Sequence, residues 1–378
     1  MNESEPGLFS KGDMLLSVYV DDSFLSGPDL QECREEMNGI LAHFEGKEVK
    51  PTKVHTDGTE ERDLLGATLL YNQKKRYMKI HMSDSIEKVL KKFNMTGCRK
   101  VATPYVPHTD LSGGGENKAY PMRQLCGCLN YIATICRPDI SFACQRISSF
   151  ADKGTNNAVN AGKRILKYLA GTLDVGVEYS VENEQQFKRI YSEVLKEHDN
   201  AESHGSMVLP DNVAFTDADF CGCTITLKST SGSILYYRGC PIVWKSKRQS
   251  IRTHSTCESE YVSMYDCIRL CQSQGYLRWF LDDKKELPLI FSDNKSALAL
   301  SKTSVATKKS KHYALRYMLV RDHFKTFGYV PTDLNLSDPL TKPLSSGKYI
   351  QIFHHEDPNL VEDREYARCY HVDFRNLA

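Results

Sequence analysis

The order of elements written into residues 212–345 constrains this chain more than any other feature. NVAFTDADF reads as a strand, and GSILYYRGCPIVWKS reads as a hairpin turning at Arg238-Gly239. A helical pattern runs from about Thr256 to Leu281, followed by a strand in LPLIFSD and a helix in NKSALALS. Then come a helix over HYALRYMLVRDHFK, a short strand in YVPTD, and a turn into SDPLTKPL. Strands first, then alternating helix and strand, predict an α/β sheet with an antiparallel portion.

Upstream, MLLSVYV followed by Asp21-Asp22 and SFLSGP reads as a hairpin with two carboxylates at its tip. Apolar positions Cys33, Met37, Ile40, Leu41 and Phe44 predict a helix packed beneath it. DLLGATLLYNQKKRYMKIHMS reads as a second hairpin turning at 72–75, and Ser83 opens a helix with Ile86, Val89, Leu90 and Phe93 on one face. Residues 96–118, with two prolines and a GGG, read as a linker into three helical stretches ending near Thr172. The polar segment 181–211 shows no sustained apolar face and is expected to be a loop or partly helical insertion.

The chain has 378 residues, 49 Lys+Arg against 48 Asp+Glu, and a net charge of +1, which argues against nucleic-acid binding by bulk basicity. The average conceals segregation: residues 212–345 carry 19 Lys and Arg against 12 Asp and Glu. No run approaches the roughly 18 apolar residues of a membrane span, and the first residues lack a signal-peptide pattern. An intracellular protein, cytoplasmic or nuclear and away from membranes, is expected. Thirteen cysteines without a C-x-x-C pair read as reduced thiols rather than as a zinc site or disulfide framework.

Four carboxylates fall at element ends within residues 212–345: Asp217, Glu260, Asp293 and Asp338. If they converge on one sheet edge they can hold two Mg²⁺ ions about 3.5–4 Å apart, a pair suited to phosphodiester hydrolysis. Acids at element ends also serve as solvated caps and turns, and the spacing alone leaves both open.

The surrounding words narrow the choice. FTDADF, KSTSGSILYYRGCPIVWKSKRQ, STCESEY, SDNKSAL, SKHYALRYMLVRDH and LSDPLTKPL, in that order, closely resemble the ribonuclease H domain of copia-type LTR retrotransposon polyproteins. YVDD at 19–22 resembles the reverse transcriptase active-site hairpin, and DLLGATLLYNQKKRYMKIHMSDSIEKVLKKFNM resembles the end of the palm and start of the thumb. YPMRQLCGCLNYIATICRPDISFA and KRILKYLAGT resemble the segment joining polymerase to ribonuclease H, so the likeness covers about residues 5 to 345.

The resemblance implies an α+β and α/β multidomain fold. A partial palm and thumb would occupy 1–95, a linker and helical connection 96–180, and the polar insertion 181–211. A ribonuclease H-like mixed-sheet domain would occupy 212–345, with a tail of unread structure over 346–378. It assigns Asp217, Glu260, Asp293 and Asp338 as catalytic metal ligands for two Mg²⁺, with Mn²⁺ able to substitute, and Asp21 and Asp22 as polymerase metal ligands. Glu258 rivals Glu260, and Asp219 is read as a flank of Asp217. The family's polymerase needs a third aspartate on a strand upstream of YVDD, and 18 residues precede Tyr19, so polymerisation by this chain alone is not expected.

Substrate contacts are expected from Lys245, Lys247, Arg248 and Arg252, and from Lys308, Lys309 and Lys311, since cations hold phosphate backbones. His312 matches a nucleic-acid contact in the family's Lys-His word or else caps a helix. Ser229, Thr230 and Ser231 could add hydrogen bonds, while Tyr236, Tyr237 and Trp244 read as sheet packing. The expected function is cleavage of the RNA strand of an RNA·DNA hybrid. The alternative is a catalytically silent retroelement remnant that binds nucleic acid or another retroelement protein. Neither reading calls for a membrane or a small-molecule cofactor.

Overall fold

The computed structural model describes residues 7–197, 208–223, 226–275, 287–303 and 314–345. Within them the chain has mixed α and β content arranged around three sheets. The tail 346–378 and the end of the helix expected to reach Leu281 lie outside the described residues.

The first sheet is a meander of β1 (Leu8–Lys11), β2 (Met14–Tyr19) and β3 (Asp22–Ser26). Tyr19 pairs with Asp22 across a tight turn in which Val20 adopts a positive φ of 55°, uncommon for a β-branched residue. Helix α1 (Leu30–Leu41) is capped by Asp29, whose carboxylate accepts from the Glu32 amide. The expected packing of this helix is weaker than its periodicity implies, because α1 has no buried residue.

The second sheet runs β4 (Lys53–Val54), β5 (Glu60–Leu64), β6 (Ala67–Asn72), β7 (Tyr77–His81) and β8 (Gly176–Tyr179), all antiparallel. Sequence periodicity finds β6 and β7 but not β8, which reaches its place after four helices. Gly176 permits that return, since a Cβ there would lie 1.9 Å from the Ile80 carbonyl oxygen. The helices are α2 (Ser83–Lys92), α3 (Met122–Ile135), α4 (Ser141–Ser148) and α5 (Asn156–Gly171). They share one core around Ile86, Leu125, Leu129, Ile147, Ile165 and Leu169. Residues 96–118 are less of a spacer than their prolines and glycines suggest, because Tyr105 and Leu111 are buried in that same core.

A fully buried ion pair ties the helices together. The Arg137 guanidinium donates to Asp139 and to both the carbonyl and hydroxyl oxygens of Thr172, while the Tyr168 hydroxyl donates to Asp139. Every charge is thus met by a hydrogen bond, the condition under which a buried pair is tolerated.

The third sheet has the order β11-β10-β9-β12-β13, comprising β9 (Asn212–Asp219), β10 (Thr230–Tyr237), β11 (Cys240–Arg248), β12 (Leu289–Ser292) and β13 (Phe327–Tyr329). β9, β10 and β11 are antiparallel neighbours, and β12 and β13 run parallel to β9. The β10–β11 turn falls at Arg238-Gly239, both at positive φ. The last strand lies earlier than YVPTD suggests: after Tyr329, Pro331 leads into a short 3-10 turn at Thr332–Leu334.

The strands of this sheet read as continuous apolar runs because both faces are covered. Val213, Phe215, Ile234, Tyr236, Leu289 and Phe291 face one core, while Ala214, Leu235 and Ile290 face the other. Helix α7 (Thr256–Ser273) fills the second core with Met264, Cys267, Ile268 and Cys271. The first core agrees with the partly helical reading of 181–211 and corrects the absence of an apolar face there. Residues Val181–Glu197 form helix α6, whose Phe187, Ile190, Tyr191, Val194 and Leu195 are buried against Phe215, Tyr236 and Phe291. Charges on its outer turns mask an apolar face with regular i, i+3, i+4, i+7 spacing.

Asp139→Ala should cost about 3–5 kcal/mol, the usual penalty for stranding one member of a buried pair. Urea unfolding followed by circular dichroism checks this, and a loss under about 1 kcal/mol would remove the pair as a structural anchor.

Candidate metal centre

The parallel pairing of β9 and β12 sets the site. Thr216 is in register with Ser292, so Asp217, near the carboxyl end of β9, and Asp293, just past the carboxyl end of β12, lie side by side. This edge is where open α/β sheets place ligands. Helix α7 brings the third acid. Ser255 caps it by accepting from the Glu258 amide, and Glu258 Oε2 accepts from the His254 amide, which ties Glu258 to the start of the helix. Glu260, two residues on, is 5% exposed and turned into the sheet edge. The Ser263 hydroxyl, one turn later, donates to the Asp217 carbonyl and pairs with the Thr216 hydroxyl, pinning helix to strand.

Carboxylate oxygens of Asp217, Glu260 and Asp293 lie within 4.8 Å of one another. Burial first, and then the neighbouring carboxylates, push the carboxyl groups of Glu260 and Asp293 above their ordinary values. Burial also raises Asp217, with Lys342 opposing and Asp338 adding to the rise. Glu260 Oε2 is buried without a hydrogen-bond partner. A set of oxygen donors with one orphaned carboxylate oxygen suits a hard divalent cation such as Mg²⁺.

Asp338 starts a short 3-10 turn, Asp338–Leu340, and is 1% exposed, but it stands outside the group of three. It joins Asp217 through Lys342, whose Nζ lies 3.0 Å from Asp338 Oδ1 and 3.8 Å from Asp217 Oδ2. The Thr341 hydroxyl also donates to Asp217. Asp219 sits further along β9, half-buried, its carboxyl raised by burial and then by Asp217.

The remaining expected residues are dispersed. Asp21 and Asp22 stand exposed at the β2–β3 tip, and among the described residues no third acid joins them in a metal-sized cluster. Lys245 and Lys247 are exposed on edge strand β11, and Lys247 is paired with Asp266 of α7. Arg248 lies opposite Thr230, which lies opposite Asp219, placing it at the site's end of the sheet. Arg252 donates to the Thr226 carbonyl. Lys308, Lys309, Lys311 and His312 lie outside the described residues. Ser229, Thr230 and Ser231 are at most 2% exposed, and the Ser229 hydroxyl pairs with Thr253, so these groups face inward rather than toward a substrate. Trp244 donates its indole N–H to the Ala133 carbonyl of α3, joining the third sheet to the helices.

Sequence reasoning misses Lys342 and Thr341. The signal was present in TKPL: Lys342 follows Asp338 by four residues, the spacing at which side chains on a helical turn meet.

Because burial and mutual repulsion raise these carboxyl groups in the folded chain, the native state holds protons that the unfolded state releases. In the metal-free protein, stability is therefore expected to fall as pH rises past about 4, the ordinary carboxylate value, and to keep falling until the cluster ionises. Lys342, raised by its carboxylate neighbours against the effect of burial, loses its contribution only at alkaline pH and does not alter this trend. Melting midpoints in chelator should decline from pH 5 to pH 8, and Glu260→Gln should flatten the decline. An unchanged slope in Glu260→Gln would show that Glu260 does not carry the effect.

No protein-family model matches the chain. It is 30% identical over 342 residues, 87% of its length, to the retrovirus-related Pol polyprotein from transposon RE2 of Arabidopsis thaliana. It is 29% identical over 349 residues to that from transposon RE1 of the same plant, and 27% identical over 353 residues to that from transposon TNT 1-94 of Nicotiana tabacum, in each case 89% of its length. The chain spans 20%, 21% and 24% of these three relatives. The similarity is sustained over nearly the whole chain, and all three of these relatives are retrovirus-related transposon Pol polyproteins.

Proposed function

We propose that residues 212–345 are a ribonuclease H that cuts the RNA strand of RNA·DNA hybrids by two-metal phosphodiester hydrolysis. The observation that carries this reading is the meeting of Asp217, Glu260 and Asp293 at the carboxyl edge of a mixed sheet, with Glu260 Oε2 buried and unpaired. The transposon Pol polyproteins to which the chain is similar agree with a retroelement-derived enzyme.

Asp217, Glu260 and Asp293 would hold one Mg²⁺, and Asp217 with Asp338 would face a second. When bound, the pair supplies an activated water and charge stabilisation at the leaving oxygen. The chain's own part is to preorganise the acids. Thr341 and Ser263 fix Asp217, α7 sets Glu260, and Lys342 offsets the repulsion between Asp217 and Asp338. Arg248 and Arg252 add positive charge on the substrate side, where phosphate contacts position a duplex and 2′-hydroxyl contacts distinguish its RNA strand. Asp21 and Asp22, exposed without a third acid among the described residues, give no polymerase site in this arrangement, and primer extension by the chain alone is not expected.

One observation favours the silent alternative: the Lys342 ammonium already stands between Asp217 and Asp338, where the second cation would be needed.

Purified protein with Mg²⁺ should cleave a labelled RNA·DNA hybrid and leave the matching DNA duplex intact. Asp293→Asn should reduce cleavage by about 10²-fold or more, because a metal ligand is lost. An uncut hybrid that still binds would sink the enzymatic reading. Lys342→Met separates the two roles of the lysine. Slower cleavage supports its positioning of the acids, whereas activity that appears only in the variant shows that the native site is blocked.

A further inference from the structure

A cavity of about 410 Å³ opens between α5 and the loop 101–110, outside the acidic site. One face of α5 supplies Asn160, Arg164 and Lys167 at i, i+4 and i+7, and the loop supplies apolar walls at Val101 and Val106. The Arg164 guanidinium gives one N–H to the Thr103 hydroxyl at 2.9 Å, yet its Nε is buried with no hydrogen-bond partner. Among the described residues neither Arg164 nor Lys167 has an ion-pair partner. A buried guanidinium N–H left unmet costs more than an exposed one and calls for an acceptor. Asp110 also lines the cavity, but its carboxylate is engaged by the Ser112 amide and hydroxyl.

Two cations beside apolar walls suit a ligand with a phosphate at one end and a flat apolar ring at the other. The cavity also has a direction. Tyr105, which lines it, also lines a narrow crevice bordered by Lys342, the lysine held by Asp217 and Asp338. The Arg146 charge is felt both at Tyr105 and at Asp219. Tyr105 thus borders both the cavity and the crevice that reaches Lys342.

We propose that this cavity is a nucleotide-binding subsite, with Arg164 and Lys167 on the phosphate, Val101 and Val106 against the base, and the nucleotide presented by a nucleic-acid strand that passes the acidic site. The assignment stands on the cavity and does not require that the acidic site cleave anything.

The test uses the full chain in chelator, with fluorescence anisotropy of a 5′-labelled single-stranded oligonucleotide of about 12 nucleotides. Arg164→Gln with Lys167→Gln should weaken binding about tenfold or more, as should Asn160→Trp, which fills the cavity from an exposed position. Lys91→Gln with Lys92→Gln removes equal charge from exposed positions on α2 and should change affinity by less than about twofold. Binding is read in chelator, where no divalent cation is free to support cleavage, which separates this subsite from the fate of the hydrolase reading. Competition by unlabelled oligonucleotide alone identifies the strand as the ligand. Equal competition by a nucleoside monophosphate, or by inorganic phosphate, shows that a free phosphate compound suffices and overturns the strand assignment. Native-like binding by Asn160→Trp, or equal losses in the α2 control, overturns the subsite itself.

Discussion

Three carboxylates whose oxygens lie within 4.8 Å of one another cannot all remain ionised in a buried setting unless positive charge stands beside them. Much of the third sheet's detail follows from that requirement. Parallel pairing of β9 and β12 brings Asp217 and Asp293 together, and α7, capped by Ser255, brings Glu260 to them. The closing turn returns Thr341 and Lys342 to Asp217, so the last described segment of the chain neutralises the first strand of its sheet. A protein that wanted only stability would replace such a cluster with apolar side chains. Buried together in a well-packed core, these carboxylates carry a repulsion that the proposed cation would offset.

The cores on either side of the sheet keep this edge rigid. Phe187 and Tyr191 of α6 meet Phe215, Tyr236 and Phe291 ring to ring, and α7 covers the opposite face. The helices of α2–α5 are not a detached unit. Trp244 bonds to Ala133, and Leu344 is buried in the helical core, so the segment carrying Lys342 is anchored at its far end in the neighbouring layer. Geometry at the acids thus depends on packing in both parts of the chain. The Arg137–Asp139 pair fixes the junction of α4 with the end of α5 in a comparable way, by satisfying charge internally.

Sequence reasoning reached the hairpins, the β10–β11 turn at Arg238-Gly239 and most helices, because each depends on local periodicity or a positive-φ turn. It failed where the partner was distant. β8 is four residues long and becomes a strand only because β7 offers it an edge. Helix α6 was hidden by its charges, since its apolar face has meaning only against Phe215 and Tyr236. Helix α1 shows the reverse error: its periodicity is sound, but no described surface buries it.

At the site, the residue types and their order were fixed by sequence alone, because carboxylates at strand ends and helix starts are local features and their surrounding words carry a family resemblance. Only the tertiary structure decided which acids meet. It joined Asp217, Glu260 and Asp293, spent Glu258 on a helix cap, set Asp338 beyond Lys342, and turned Ser229 and Thr230 inward. The physical reason is that a chain encodes what each residue prefers near itself, while distances between charges separated by tens of residues follow from strand register, helix rotation and the packing that holds them.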